Sequence, residues 1–191
     1  MGARAGGLAA LAGVVAFLAV VIPLHLLQPG YDPKQQLMSE LALGPHGGAM
    51  LVAFAGLALS AFGIQAAIGA LGSGWPLRGL LLAASACFLA SGVFPLGATS
   101  EIHIGAIACA FVLSVLAMYL FPRSAGRASA WVPRIASWGC AAGVAASVAL
   151  GHSMLPMGIG QRGAAAFLLL WMALVGWQVS RPMRQSAAKT S

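Results

Sequence analysis

Three short groups of polar residues interrupt an otherwise apolar sequence, and they hold most of the side chains able to do chemistry. The first group lies within residues 28–46 and contains Asp32, Ser39, Glu40 and His46. A serine hydroxyl can act as a nucleophile, and a carboxylate can act as a general acid or base. Ser39 and Glu40 are therefore candidate catalytic residues, and Asp32 and His46 are candidate ligand-binding residues.

The second group is TSEIH, residues 99–103, at the expected start of a helix. Thr99 or Ser100 can cap that helix, and the carboxylate of Glu101 suits the positive end of its dipole. The same dipole disfavours a protonated imidazole, so His103 is expected to be neutral and available as a base or a metal ligand. The alternative is a capped helix whose histidine is hydrogen-bonded for structural reasons. His103 is a third catalytic candidate and Glu101 another ligand-binding candidate.

The third group is GIGQRG, residues 158–163, which adds Gln161 and Arg162 as ligand-binding candidates. A guanidinium near a bilayer either extends to a lipid headgroup or pairs with a carboxylate from another part of the chain. We hypothesise an ion pair between Glu40 and Arg162 that orients a neutral His103 toward an outward-facing pocket. A plain headgroup contact is the alternative.

Metal binding is left open by the sequence. Zinc is a candidate cofactor because histidine is a common zinc ligand. The histidines that could contribute are His46, His103 and His152, but the chain has no paired-histidine motif with recognisable ligand spacing.

The composition determines the class of protein that must position these residues. Of 191 residues, 60% are hydrophobic and 7% are charged, against roughly 25% charged in an average soluble domain. A membrane-spanning helix needs about 20 mainly apolar residues, and six such runs fit this chain. We predict an all-α integral membrane protein, a single domain over residues 1–191 that forms a six-helix bundle. The predicted spans are about 7–27, 47–71, 79–98, 102–121, 131–150 and 163–180.

Two further patterns concern local structure. In residues 33–44, Pro33 can start a helix, and the apolar side chains then share one face. This pattern predicts an amphipathic helix at the membrane surface. In the second span, small residues form a ridge that favours close packing between helices of the same chain; they are Gly56, Ser60, Gly63 and Ala67.

The basic residues predict the orientation in the membrane. With six spans, one side carries eight of the ten Lys and Arg residues, and the positive-inside rule makes that side cytoplasmic. We therefore predict cytoplasmic termini in a bacterial inner membrane, with membrane lipids as partners. Because the basic residues form no stripe, a nucleic-acid partner is not expected. The eight residues are Arg4, Arg78, Arg123, Arg127, Arg134, Arg181, Arg184 and Lys189.

The order of these motifs resembles that of the bacterial six-helix membrane proteins grouped as domain-of-unknown-function family 998. The resemblance covers nearly the whole chain, and it implies no activity. In this family an acidic residue often follows the Phe-Pro pair, whereas residues 96–98 of this chain include none. Glu101 is the residue that could substitute for it. The matching features are Ser39-Glu40 after a Tyr-Asp-Pro loop, GVFP at 92–95, His103 opening the next span, and GIGQR at 158–162 before a helix with tryptophan. By this resemblance, Ser39, Glu40, Pro95, His103 and Arg162 are this chain's versions of the family pattern.

Two classes of function fit these observations best. The first is an intramembrane enzyme that acts on a lipid or another small amphiphile in an outward-facing polar pocket. The second is a non-catalytic protein that binds a lipid or small molecule, as a sensor or an accessory subunit. A transporter is disfavoured because no span has an ionisable residue near the bilayer midplane. The substrate, the reaction and the oligomeric state are not determined by the sequence.

Overall fold

The computed structural model describes residues 1–125 and 134–181. Within these ranges the fold is entirely helical, and six helices are each long and apolar enough to cross a membrane. The chain is therefore a multi-pass membrane protein, as the composition predicted. The helices are α1 (Ala3–Leu27), α2 (Met50–Ala70), α3 (Trp75–Val93), α4 (Ser100–Ser124), α5 (Arg134–Ser153) and α6 (Met157–Ser180).

The six helices form a closed ring. Each helix packs against its neighbours in the chain, and α6 completes the ring by packing against α1. Contacts between α2 and α6 cross the ring. The connection between α1 and α2 is the longest, so it has room for structure of its own. The other connections are short.

Glycines bring α1 and α2 into backbone contact. A Cβ on Gly6 would lie 2.6 Å from the carbonyl oxygen of Gly63, and a Cβ on Gly13 would lie 2.3 Å from that of Gly56. Both distances are too short for a real side chain, so the helices approach this closely only because these positions lack one. The small-residue ridge of α2 packs within the molecule, as expected.

Helices α3 and α6 are among those that begin earlier than the hydropathy pattern indicated. α3 begins at Trp75 and has Pro76 in its first turn, where a missing N–H costs no helical hydrogen bond. α6 begins at Met157, so GIGQRG lies within the helix. Its glycines serve close packing: a Cβ on Gly160 would lie 2.5 Å from the Cα of Gly151 in α5.

Residues 28–46, here termed the cover segment, fold as turns followed by a short 3-10 helix over Met38–Leu43. The helix begins there and not at Pro33. Asp32 accepts the N–H of Lys34 through Oδ1 at 2.8 Å and the N–H of Gln36 through its carbonyl oxygen at 2.9 Å. Aspartate side chains favour such turns over helix because they bond the nearby backbone. A second 3-10 turn, Gly47–Ala49, leads into α2.

Some sequence predictions fall outside the described residues. They are the start of the fifth span at 131 and the basic residues Arg127, Arg184 and Lys189. The cytoplasmic orientation of the termini stays a prediction.

Candidate functional site

Arg162 lies at the centre of a polar cluster in the first turns of α6. Nη1 donates to the carbonyl oxygens of Gln36 and Gly158, both at 2.9 Å. Nη2 donates to Nε2 of His25 at 2.9 Å and to the hydroxyl of Tyr31. The planar guanidinium suits this task because its donors point in fixed, diverging directions. One side chain thus joins α6, the end of α1 and the cover segment.

The contacts of His25 allow one tautomer. Its Nδ1 lies 2.6 Å from the carbonyl oxygen of Val21, so Nδ1 must carry the proton. Its Nε2 faces an N–H of Arg162 and must therefore present a lone pair. The geometry assigns a neutral imidazole to this position.

Tyr31 links Arg162 to the cover segment. Its ring packs edge-on against His25, with centroids 5.3 Å apart, and its hydroxyl donates to the carbonyl oxygen of Leu37 at 2.9 Å. Burial raises the pKa of the Tyr31 phenol above its ordinary value, and the nearby Arg162 cation opposes that rise less strongly. The phenol is thus protonated at neutral pH and can donate its hydrogen bond.

The backbone of the cover segment lies directly on the start of α6. The N–H of Ile159, in the first turn of the helix, is shared between the carbonyl oxygen of Pro156 at 3.0 Å and that of Lys34 at 3.2 Å. A Cβ on Gly158 would lie 2.5 Å from the carbonyl oxygen of Gln36 and 2.6 Å from that of Lys34. The glycine therefore permits this contact, and the carbonyl dipoles face the positive end of α6.

Gln161 and Glu40 fix the start of the 3-10 helix. Gln161 accepts the N–H of Met38 through Oε1, across more than a hundred residues of chain. Glu40 accepts the N–H of Leu37 at 2.8 Å and the side-chain amide of Gln36 at 3.2 Å. These side chains satisfy backbone donors that a short helix leaves free. The adjacent residues Gln161 and Arg162 thus both bind the cover segment.

The hypothesised ion pair between Glu40 and Arg162, with His103 beside it, is replaced by a different arrangement. Glu40 and Arg162 bind opposite parts of Gln36: the carboxylate accepts from its side chain, and the guanidinium donates to its carbonyl oxygen. The physical reason is that Glu40 caps its own helix. Backbone carbonyl oxygens instead accept the hydrogen bonds of Arg162. His103 bonds to α3 and not to this cluster.

His103 is buried, 1% exposed, where α3 ends and α4 begins. Its Nδ1 lies 2.8 Å from the carbonyl oxygen of Ser91 and 3.1 Å from that of Phe94, so it donates to carbonyls that the helix end leaves free. Its ring packs edge-on against Phe54, with centroids 5.3 Å apart. Nε2 is buried and has no hydrogen-bond partner among the described residues. The geometry supports the alternative that this histidine is hydrogen-bonded for structural reasons. The Nε2 atom remains an unused acceptor.

A narrow apolar cleft lies beneath the cover segment, inside the ring. Ser39, 4% exposed, and Gln161 are the polar side chains in its wall. The free volume is about 20 Å³, which is room for about one water molecule. The sequence predicted a polar, outward-facing pocket, whereas this cleft is narrow and mostly apolar. The apolar lining consists of Phe17, Met38, Met50, Phe54, Leu57, Ile107, Phe111, Ala165, Leu168 and Leu169.

The remaining sequence candidates lie on the surface, and the structure does not gather them. Asp32, His46, Glu101 and His152 are all exposed. Across residues 1–125 and 134–181, no group of three or more His, Cys, Asp or Glu side chains is arranged to hold a metal ion.

Three residues of the polar cluster were not among the sequence candidates: His25, Tyr31 and Gln36. His25 lies near the end of an apolar run, and the other two lie in the polar segment that follows it. No spacing rule connects any of the three to residue 162. The available signal was their common membrane level, since Arg162 needs acceptors and the residues flanking α1 are the nearest in depth.

A comparison with known protein families identifies one matching family. The family model described as "Protein of unknown function (DUF998)" matches residues 11–178. The chain belongs to this family. The DUF998 match extends from α1 into α6, so the cover segment, the Arg162 cluster and the cleft all lie within the family region. This confirms the resemblance drawn from the motifs. No curated protein and no solved structure matches the chain.

Proposed function

We propose that this DUF998 protein is a non-catalytic, membrane-embedded binding protein for an amphiphile, whose apolar chain occupies the cleft beneath the cover segment. The observation that carries the proposal is the attachment of a polar segment over an apolar cleft by two adjacent residues, Gln161 and Arg162. These two contacts would hold a removable cover in place over the apolar space.

The chemistry of the cleft supports an amphiphilic occupant. Phenylalanine, leucine and methionine side chains dominate the wall, and methionine adapts readily to different apolar shapes. The hydroxyl of Ser39 and the amide of Gln161 lie at the covered end, where a polar headgroup could bond to them. The free volume of about 20 Å³ is too small for an apolar chain, so binding requires the cover segment or a neighbouring helix to move.

We place the entrance for the apolar chain between α4 and α5. In the described chain, the hydrogen bonds between these helices join residues 137 and 138 to residues 118 and 119, far from the cover segment. Near the cover segment, α4 contributes Ile107 and Phe111 to the cleft, whereas α5 contributes no lining residue. A lipid tail could therefore enter sideways from the bilayer at this end.

The charge pattern suggests which side the cleft faces. Of the ten basic residues, Lys34 and Arg162 lie at the covered end of the bundle, and the order of the spans in the sequence assigns the other eight to the opposite side. We infer cytoplasmic termini and an outward-facing cover in a bacterial inner membrane. A Lys34→Cys variant tests this, because the exposed residue 34 should react with a membrane-impermeant thiol reagent added outside intact cells. Labelling only after lysis would reverse the orientation.

An intramembrane enzyme is the second candidate, and the position of Ser39 in the cleft wall favours it. Its hydroxyl could attack the ester carbonyl of a lipid bound there, which forms an acyl-serine and breaks the ester bond, and the departing alcohol takes up the serine proton. Water would then hydrolyse the acyl-serine to release the carboxylic acid. Glu40 is engaged in capping, so it does not serve as the base in this arrangement. A Ser39→Ala variant separates the candidates by lipid cleavage: an enzyme cleaves its lipid as the wild type and loses that turnover in the variant, whereas a binding protein cleaves no lipid in either form.

Filling the cleft tests the proposal directly. Ala165 lines the cleft, whereas the adjacent Ala166 is exposed on the outside of α6. Ala165→Leu should remove co-purifying amphiphile from the protein, as seen by native mass spectrometry, and Ala166→Leu should leave it bound. The comparison requires that the two variants have similar melting temperatures, because extra volume in a packed interior can cost about 1–3 kcal/mol of stability. Equal amphiphile content in both folded variants would refute the proposal.

A further inference from the structure

The contact between His25 and Arg162 cannot accommodate a second proton on the imidazole. Nδ1 already carries its proton toward Val21, and Nε2 receives an N–H of Arg162 at 2.9 Å. Protonation would place a new N–H directly against the guanidinium N–H. It would also place two positive charges in contact in a partly buried site, where charges are screened less than in water.

We propose that the Arg162 cluster is an acid-released latch: protonation of His25 breaks its bond to Arg162 and frees the cover segment from α6. The proposal rests on the proposed function only in what the released segment would uncover. The release itself needs no ligand.

The surroundings of His25 favour this effect. Arg162 approaches from α6, and Tyr31 approaches from the cover segment, with its neutral phenol accepting from Arg162. Glu40 accepts from the side-chain amide of Gln36, whose carbonyl oxygen in turn accepts from Arg162. Neither contact of the His25 ring nitrogens is to a carboxylate, so an imidazolium there would have an arginine as its immediate neighbour.

The direction of the pH effect follows from proton counting. The latched state holds His25 unprotonated, whereas the released state lets it take up a proton. Acid therefore favours release, because lowering the pH favours the state that binds more protons. For one proton the opening equilibrium can change by up to about tenfold per pH unit. Histidines titrate within about pH 5–8, which sets the range to examine.

Hydrogen exchange of the cover segment measures this release. The purified protein, freed of bound amphiphile, is examined in nanodiscs at about pH 7.5 and about pH 5, a range chosen to span histidine titration. After correction for intrinsic exchange, peptides covering Leu37, Met38 and Glu40 should lose at least tenfold of their protection at the lower pH, while α2 stays protected. An unchanged protection factor in the cover segment would overturn the proposal.

Three variants assign the response to its residue. His25→Gln offers a neutral acceptor to Arg162, so it should reduce the acid response. Glu40→Gln removes the carboxylate that bonds Gln36 in the cluster, and this variant should still open on acidification. His46→Gln alters an exposed histidine and should behave like the wild type. Loss of the response in Glu40→Gln, or its persistence in His25→Gln, would overturn the proposal. Because no ligand is present, these outcomes are independent of whether the cleft binds an amphiphile.

Discussion

The carbonyl oxygen of Gln36 lies 2.5 Å from the position that a Cβ on Gly158 would occupy. The two residues are far apart in the chain, and their backbones touch because Gly158 has no side chain. The same carbonyl accepts a hydrogen bond from Arg162, one turn further along α6. Close backbone approach and side-chain anchoring therefore act at the same point.

Gly158→Ala should detach the cover segment from α6. The new methyl would collide with three carbonyl oxygens of the segment, and we expect a loss of about 1–3 kcal/mol in the free energy of unfolding. Thermal unfolding in detergent measures the loss, and hydrogen exchange locates it. Gly105→Ala is the matched control, because a Cβ at this helical glycine meets no atom within 4 Å. Equal stability of the two variants would contradict the role assigned to Gly158.

Arg162→Lys should be nearly as damaging as Arg162→Ala. A lysine has one nitrogen and cannot reach Gln36, Gly158, His25 and Tyr31 from two separate positions. Hydrogen bonds to charged groups contribute roughly 1.5–3 kcal/mol each, so losing several of them should lower the melting temperature clearly. Arg181→Lys is the control, since Arg181 is exposed and lies over the ring of Trp177, 4.6 Å from its centroid. If lysine at 162 preserved full stability, the forked geometry would be irrelevant.

Tyr31 should ionise at a higher pH than an ordinary tyrosine. Burial raises the pKa of its phenol above the usual 10.0, so the native state prefers the protonated form. The stability that this preference contributes is present below pH 10 and is lost as the pH rises through the higher folded-state pKa. The chain has two tyrosines, so an ultraviolet titration of a Tyr119→Phe variant reports Tyr31 alone. Ionisation at or below the ordinary value would contradict the buried environment.

His103→Ala should destabilise the bundle. It removes the donor that bonds the carbonyl oxygens of Ser91 and Phe94 at the end of α3, and leaving buried groups unpaired costs about 1–3 kcal/mol. His103→Asn, which keeps a donor on a shorter side chain, should restore part of the melting temperature. His152→Ala is the control because that histidine is exposed. A fully stable His103→Ala protein that no longer binds amphiphile would instead assign this residue to the site.

Much of the architecture follows from the sequence alone. Six apolar runs about as long as a bilayer requires must become helices, because no water is available in lipid to bond an unpaired backbone. The ridge from Gly56 to Ala67 predicted a close helix contact, and Gly13 and Gly56 indeed meet there. Membership of the DUF998 family was also recognisable, since the order of several short motifs survives in one dimension. These features depend on local composition and on motif order, both of which the sequence displays directly.

The partners of each polar side chain were decided by the tertiary structure. Arg162 was expected to pair with Glu40, since opposite charges attract, but Gln36 lies between them and binds both. Backbone carbonyls carry no sequence signature, yet two of them accept from this arginine. His103 likewise bonds to the end of α3, which lies beside it only in the folded ring. Differences of a few tenths of an ångström decide whether a hydrogen bond forms. At Arg162, the packing of Gly158 against the backbone of the cover segment sets these distances.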